Sequence, residues 1–147
     1  SEVLFAFSGK EYDHRSKDYV QQLKSFVAEE GLENNVKFLG VLPRAEQLLI
    51  LRQSLAVIQP SLFEGWSTVV EDAKAQNKFL FLSDLPVHAE QVKENRVFFE
   101  RSNPDDLADK ILNTPVVVQE RDYQENIQQF GLDFLALIEQ YATSSHV

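Results

Sequence analysis

Three carboxylates follow an apolar run near the middle of the chain, and their spacing suggests a ligand site. The run at residues 55–58 is followed by Pro60, Glu64 lies in a glycine-containing loop, and Glu71 and Asp72 lie in a helical pattern beyond it. This order is typical of a strand, a loop and the first turns of a helix. A helix N-terminus offers unpaired N–H groups and partial positive charge, which suit phosphate. Ionised carboxylates only accept hydrogen bonds, so they suit hydroxyl-rich groups.

Each carboxylate also has a simpler structural explanation. Thr68 and Glu71 fit the capping box, with threonine as the N-cap and glutamate at N3. Asp72 then lies one turn inside the helix, where it either points toward a ligand or complements the helix dipole. Glu64, next to Gly65, is either part of a site or a solvated loop residue. A phosphate site flanked by hydroxyl-binding groups is what a nucleotide sugar would require.

Other residues near the ends of predicted strands could contact the same ligand. Lys10 follows the turn at residues 8–9 and could reach a phosphate, although a lone lysine is more often solvated. Arg44 starts a short helix after Pro43, an end that disfavours a cation, which slightly raises the chance of a role outside helix stability. Trp66 is most simply an aromatic anchor that packs the loop. The three histidines lack metal-site spacing, and hydrolase and phosphate-loop motifs are absent from the sequence.

Short apolar runs alternate with helical patterns along the whole chain. Asn103 is expected to cap one helix, with Pro104 at its first position. A long amphipathic segment over about 116–143 is expected to be interrupted near Gly131. The predicted strands are 3–7, 36–39, 55–58, 79–82 and 97–99, and the other predicted helices are 18–31, 43–53, 68–77 and 87–93.

This alternation predicts an α/β fold with a mostly parallel sheet and helices on both faces. In such sheets ligands bind outside the carboxyl ends of the strands. The loops at residues 8–10, 40–43, 60–67 and 83–86 are therefore expected to share one edge of the sheet. That edge is the predicted functional face.

Length and composition limit the class of protein. The chain of 147 residues is expected to form a single domain, and its 44% hydrophobic and 25% charged content is typical of a soluble globular protein. The net charge of −9 disfavours a nucleic-acid partner but not a small anionic ligand. The absence of cysteine fits an intracellular location. Because the sequence opens on a strand-like run without methionine, we expect an excised domain truncated at its N-terminal edge.

Two segments resemble a known family. The sequence VKFLG at residues 36–40 followed by Pro43 and Arg44, and PSLFEGW at 60–66 before an acidic helix start, resemble the C-terminal domain of glycosyltransferase family 4, or glycosyl transferases group 1. The resemblance covers roughly residues 3–113. It implies the Rossmann-like, donor-binding half of a GT-B enzyme that retains anomeric configuration and needs neither a metal nor a cofactor.

The resemblance also implies roles for individual residues. The family motif has two acidic residues separated by seven, which here are Glu64 and Asp72, with aspartate where glutamate is usual. Glu64 would contact hydroxyls of the donor sugar and Asp72 would accept hydrogen bonds from the ribose, so these are the predicted catalytic residues. Backbone amides after Gly65 would hold the distal phosphate, and the 40–44 loop would border the base. The predicted donor-binding residues are Gly9, Lys10, Leu42, Pro43, Arg44, Gly65, Trp66, Ser67 and Thr68.

Two departures from the family pattern shape the expected function. An upstream arginine and lysine, and an N-terminal acceptor-binding domain, are absent from this sequence, and Asn77 stands where glycine is usual. We expect a donor-binding domain of a hexosyltransferase of glycan or polysaccharide biosynthesis, inactive by itself and cytoplasmic, with the full protein able to contact the inner membrane surface. The alternatives are a non-catalytic nucleotide-binding or interaction module and, with weaker support, a flavodoxin-like carrier.

Overall fold

The computed structural model describes residues 3–12 and 18–144, in which strands and helices alternate as predicted. The α/β class with parallel strands is confirmed. The elements are β1 (Phe5–Ser8), α1 (Tyr19–Glu29), β2 (Val36–Gly40), α2 (Arg44–Gln53), β3 (Ala56–Gln59), α3 (Thr68–Ala75), β4 (Phe79–Ser83), α4 (Pro86–Gln91), β5 (Arg96–Phe99), α5 (Pro104–Asn113) and α6 (Tyr123–Ser144). In this part of the chain, no helix is both long and apolar enough to cross a membrane.

The chain divides into two compact units, Ser1–Gln53 and Ser54–Val147. In the first unit β1 and β2 form a two-stranded parallel sheet in which Phe7 lies opposite Phe38. Their rings stack with centroids 5.5 Å apart. No side chain among the described residues of this unit is fully buried.

The second unit contains a three-stranded parallel sheet in the order β3, β4, β5. Every residue of β4 is buried, because this strand has a hydrogen-bonded neighbour on each side. Phe79, Phe81 and Phe99 form the centre of the core, and apolar residues of α5 pack against them. The described strands thus pair in two sheets, whereas the sequence pattern suggested one.

Two asparagines shape the turns that lead into β4 and β5. Asn77 and Asn95 have φ values of 51° and 52°, in the left-handed region that asparagine tolerates better than most residues. Asn77 ends α3 in a Schellman arrangement, since its amide donates to the Lys74 carbonyl and the amide of Lys78 donates to the Ala73 carbonyl. Asparagine can therefore fill the position where the family pattern has glycine.

The same asparagine side chains bind a segment before α6. Asn77 Nδ2 donates to the Arg121 carbonyl at 3.1 Å and Asn77 Oδ1 accepts from the Arg121 amide at 3.0 Å. Asn95 makes the equivalent pair with Gln119 at 2.9 and 2.7 Å. We call residues 119–121 the strap. A glycine at either turn would keep the backbone conformation but lose these bonds.

The C-terminal helical segment differs from the prediction. The helix Tyr123–Ser144 continues through Gly131, and residues 115–122 have no helical structure. A glycine inside a helix costs about 1 kcal/mol relative to alanine, which is not enough to end a helix of this length. The expected interruption near Gly131 is therefore wrong.

Candidate functional site

Glu64 lies in the loop that follows the carboxyl end of β3. Its Oε2 accepts hydrogen bonds from Gln59 Nε2 at 2.9 Å and from Ser61 Oγ at 2.8 Å. Gln59 is the last residue of β3, and Pro60 cannot donate to a continuing ladder, so the chain turns there. The Glu64 side chain is only 21% exposed. It is an anchored carboxylate, so the alternative of a solvated loop residue does not hold.

A buried histidine lies next to this carboxylate. His88, in α4, is completely buried, and its Nδ1 lies 2.9 Å from the Ser83 carbonyl oxygen. Its Nε2 lies 3.9 Å from Glu64 Oε2. Ser83 Oγ in turn donates to the Ser61 carbonyl at 2.6 Å. Side chains from the end of β3, from the loop after it and from α4 therefore converge on the Glu64 carboxyl group, while Ser83 at the end of β4 contacts its neighbours Ser61 and His88.

These contacts change the acidity of Glu64. Burial by itself raises the pKa of Glu64, but hydrogen bonds from Gln59 and Ser61, together with the nearby charge of His88 and the Ser67 hydroxyl, lower the pKa below its ordinary value. A lowered pKa keeps the carboxyl ionised at neutral pH. An ionised carboxylate can only accept hydrogen bonds, so Glu64 can bind hydroxyl groups of a ligand.

The start of α3 differs from the predicted capping box. Ser67 is the N-cap, and its Oγ accepts from the Val70 amide at 3.5 Å. Thr68 is the first helical residue, so Glu71 stands at the fourth helical position and cannot complete a box. Both hydroxyl residues are good N-caps by type. The assignment of Thr68 as N-cap is therefore wrong.

Gln91 explains why Ser67 takes the cap position. Its buried amide accepts from the Ser67 amide at 3.2 Å and donates to the Ser67 carbonyl at 3.1 Å. Gln91 Nε2 also lies 3.0 Å from Glu71 Oε1, and Glu71 pairs with Lys74 at 2.9 Å. Glu71 is therefore structural, as predicted, but through different partners. Because the Ser67 amide is donated to Gln91, the amides of Thr68 and the next residue are the first-turn donors without a helical acceptor.

The loop between β3 and α3 exposes its aromatic and aliphatic side chains. Trp66 is 55% exposed, Phe63 is 88% exposed and Leu62 is 68% exposed. The interpretation of Trp66 as a buried anchor is therefore wrong. Hydrogen bonds to Glu64 and Ser67 hold this loop, so an aromatic anchor is not required.

Asp72 lies further along α3 and lines a cavity of about 550 Å³. The side chains around this cavity come from α3, from the turns before β4 and β5, and from the start of α6; they include Glu71, Lys74, Lys78, Asn95, Tyr123 and Phe130. Glu64 is not part of that lining. The role of Asp72 toward a ribose stays a prediction.

The other predicted donor-binding residues belong to the first unit: Gly9, Lys10, Leu42, Pro43 and Arg44. The Gly9 amide donates to the Gly40 carbonyl at 2.8 Å, which joins the loops after β1 and β2. Leu42 accepts from Gln47 Nε2 at 2.7 Å, and Arg44 is the first residue of α2. Lys10 is exposed. These residues form one group, and Glu64 with residues 65–68 forms another in the second unit.

His88 and Gln91 are site residues that sequence reasoning missed. Both lie in the short helix α4, which was predicted as a helix over residues 87–93 but without any role for these two side chains. The available signal was their position after a strand end on the predicted functional edge. A single histidine or glutamine at such a position is not a recognisable motif. His88 contacts Glu64 and Gln91 contacts Ser67, each 24 residues earlier in the chain.

Comparison with known proteins places the chain among sugar-transfer proteins. The family model described as "Glycosyl transferases group 1" matches residues 1–129. O-antigen chain mannosyltransferase RfbU of Salmonella typhimurium is 29% identical over 89 residues, which are 60% of this chain and 24% of that protein.

Solved structures show the same fold. Anabaena Alr3699/HepE, in complex with UDP and in complex with UDP and glucose, gives a TM-score of 0.66 at 26% identity over 76% of this chain and 30% of the other. Sucrose-phosphate synthase from Thermosynechococcus elongatus gives 0.65 at 16% identity over 92% of this chain and 38% of the other, a likeness of fold alone. The chain thus spans between about a quarter and two fifths of these relatives.

Proposed function

Because the chain belongs to the glycosyl transferases group 1 family, we propose that it is the donor-binding domain of a retaining glycosyltransferase. The donor is a nucleotide diphosphate sugar. The observation that carries this proposal is the anchored, ionised Glu64 carboxylate in the loop between the carboxyl end of β3 and the N-terminus of α3. The complexes of Anabaena Alr3699/HepE with UDP support a nucleotide ligand.

The site suits the two ends of such a donor. Glu64 accepts hydrogen bonds from sugar hydroxyls, and the first-turn amides of α3, beginning at Thr68, bind the distal phosphate. Negative charge that develops on the departing phosphate is then stabilised by fixed donors, and the sugar is held in position by the carboxylate. Asp72 accepts from the ribose, and the 40–44 loop with Arg44 borders the base. The proposed reaction needs neither a metal nor a cofactor.

The rest of the proposal concerns the longer protein. The mannosyltransferase relative and the glucose complex of Alr3699/HepE support a hexosyltransferase of glycan or polysaccharide biosynthesis. An N-terminal domain supplies the acceptor site and further cations for the diphosphate, so the chain by itself is inactive. The protein acts in the cytoplasm and reaches the inner membrane surface through that other domain.

Replacement of Glu64 tests the proposal. In the full-length protein, Glu64→Ala is expected to reduce kcat at least about tenfold, or about 1.4 kcal/mol, because a contact with the sugar is lost. Steady-state kinetics with the donor that binds would measure the loss. Glu90→Ala, which removes an exposed carboxylate from α4, is the matched control and should keep the wild-type rate. A folded Glu64→Ala variant with full activity would contradict the proposal.

A non-catalytic nucleotide-binding module of the same fold is the second candidate. The observation that favours it is aspartate at position 72, where the family motif has glutamate. Calorimetry of the full-length protein against a panel of nucleotide sugars, followed by a turnover assay with the sugar that binds, separates the two, since a module binds without turnover. If no member of the panel binds at millimolar concentration, both candidates are wrong.

A further inference from the structure

His88 is oriented by one ring nitrogen. Nδ1 lies 2.9 Å from the Ser83 carbonyl, and a carbonyl oxygen can only accept, so Nδ1 carries a proton. The Ser83 hydroxyl lies 3.4 Å from the same nitrogen. This leaves Nε2 as the atom directed at Glu64. The ring is completely buried, and within the described part of the chain Nε2 has no hydrogen-bond partner.

A buried nitrogen without a partner is costly. Leaving a buried polar group unsatisfied lowers the stability of the fold, whereas an apolar side chain in the same place avoids that cost. The carboxylate 3.9 Å away is the charged group within ion-pair distance of this nitrogen. A hydrogen bond between the two atoms requires about 2.7–3.2 Å, so the contact at 3.9 Å is an electrostatic one.

We propose that His88 is a positioning residue for Glu64, holding its carboxylate in place through a proton on Nε2. Gln59 and Ser61 donate to the same oxygen, so the three groups fix that oxygen and hold the carboxyl group in one orientation. This inference deepens the proposed function and rests on it, because a fixed carboxylate orientation serves contact with the hydroxyls of a donor sugar. The charge of His88 also contributes to the low pKa of Glu64.

Two substitutions of His88 test the roles of its two ring nitrogens separately. In His88→Asn the side-chain amide can replace Nδ1 toward the Ser83 carbonyl but does not reach Glu64. In His88→Gln the longer side chain places its amide near the position of Nε2. In the full-length protein, His88→Asn is expected to reduce kcat about fivefold to twentyfold and His88→Gln to stay within about threefold, because the distal donor is lost only in the first.

A double-mutant cycle with Glu64→Gln tests whether His88 acts through Glu64. If it does, adding His88→Asn to Glu64→Gln causes no further loss of kcat, whereas a separate structural role gives losses that multiply. Multiplying losses, or a wild-type rate in His88→Asn, would overturn the proposal. Both results leave the proposed function standing as long as Glu64→Ala loses at least about tenfold in kcat.

A measurement independent of catalysis completes the test. With Glu64 labelled with ¹³C in its carboxyl group in the full-length protein, its NMR titration midpoint is expected to move to higher pH in His88→Asn and in His88→Gln, since both variants lack the imidazolium charge. Glu90→Ala should leave the midpoint unchanged. If His88→Asn does not fold, His88→Gln decides this measurement. An unmoved midpoint in the folded variant overturns the positioning role, whatever substrate the protein uses.

Discussion

The strands β1 and β4 have similar sequences but very different surroundings. Both are apolar runs that end in a serine. Phe81 in β4 is 3% exposed, whereas Phe7 in β1 is 52% exposed. Strand β4 pairs on two sides, and among the described residues β1 pairs with β2 alone. An apolar run therefore predicts a strand, while its burial depends on how many neighbours cover it.

The same contrast applies to the candidate site. The polar side chains that are buried among the described residues, Ser67, Ser83, His88 and Gln91, all belong to the second unit. They support Glu64 and the start of α3 with hydrogen bonds or ion-pair contacts. The predicted donor-binding residues of the first unit lie in loops or, for Arg44, at the start of α2, without such buried support. A rigid carboxylate site in the second unit thus contrasts with exposed loops in the first.

The largest expected effect on stability concerns Phe81 in β4 and Phe7 in β1. Phe81→Ala is expected to lower the free energy of unfolding by about 3–5 kcal/mol, because it leaves a cavity in a close-packed core. Phe7→Ala should cost about 1 kcal/mol, since half of the ring is already exposed. Urea unfolding followed by circular dichroism measures both. Equal losses would show that β1 is as well covered as β4 in the folded protein.

A smaller effect is expected from the two supporting glutamines. Gln91→Ala removes three hydrogen bonds from a buried position and should cost about 1–3 kcal/mol. Gln47→Ala removes one part-buried bond to the Leu42 carbonyl and should cost about 0.5–1.5 kcal/mol. Thermal unfolding of the two variants provides the comparison. A greater loss in Gln47→Ala would contradict the view that the second unit holds the more rigid site.

The smallest effect concerns pH and the two carboxylates Glu64 and Glu11. Because the pKa of Glu64 is lowered on folding, its ionisation stabilises the fold above the unfolded pKa, and this contribution is lost as the pH falls through the folded pKa. The stability of Glu64→Gln relative to wild type should therefore rise as the pH falls from about 6 to about 3, around the ordinary glutamate value.

Glu11 provides the matched comparison in the first unit. It forms an exposed ion pair with Lys24 at 2.7 Å. Exposed pairs contribute about 0–1 kcal/mol and are screened by salt, so Glu11→Gln should change stability little at any pH in 0.5 M salt. Denaturant midpoints measured across this pH range test both variants. A pH-independent difference for Glu64→Gln would contradict the lowered pKa.

Local patterns were sufficient to predict most of the elements. Apolar runs and helical spacing are properties of neighbouring residues, so the strands and most helices follow from them. The cap at Asn103 is confirmed, because its Oδ1 accepts from the Asp106 amide at 3.1 Å. The interruption at Gly131 failed because the helix hydrogen bonds around it outweigh one unfavourable residue.

The details of the site depend on residues that are distant in sequence. Ser67 and Thr68 are both acceptable N-caps by type, and Ser67, the cap in the structure, is bound by Gln91, 24 residues further along the chain. The environment of Glu64 likewise depends on His88, which no local motif connects to it. The sequence thus identified the carboxylate and the helix start, but not the buried side chains that hold them.

The asparagine contacts with the strap have a consequence for chain entropy. The Asn95–Gln119 contact closes a loop of 24 residues, and it lies inside the loop of 44 residues that the Asn77–Arg121 contact closes. Once the inner loop has closed, the number of residues still free in the outer loop is roughly halved. Closing the outer loop then costs about 0.6 kcal/mol less in chain entropy. Formation of the Asn95–Gln119 contact therefore lowers the entropic cost of the Asn77–Arg121 contact, which lies directly before α6.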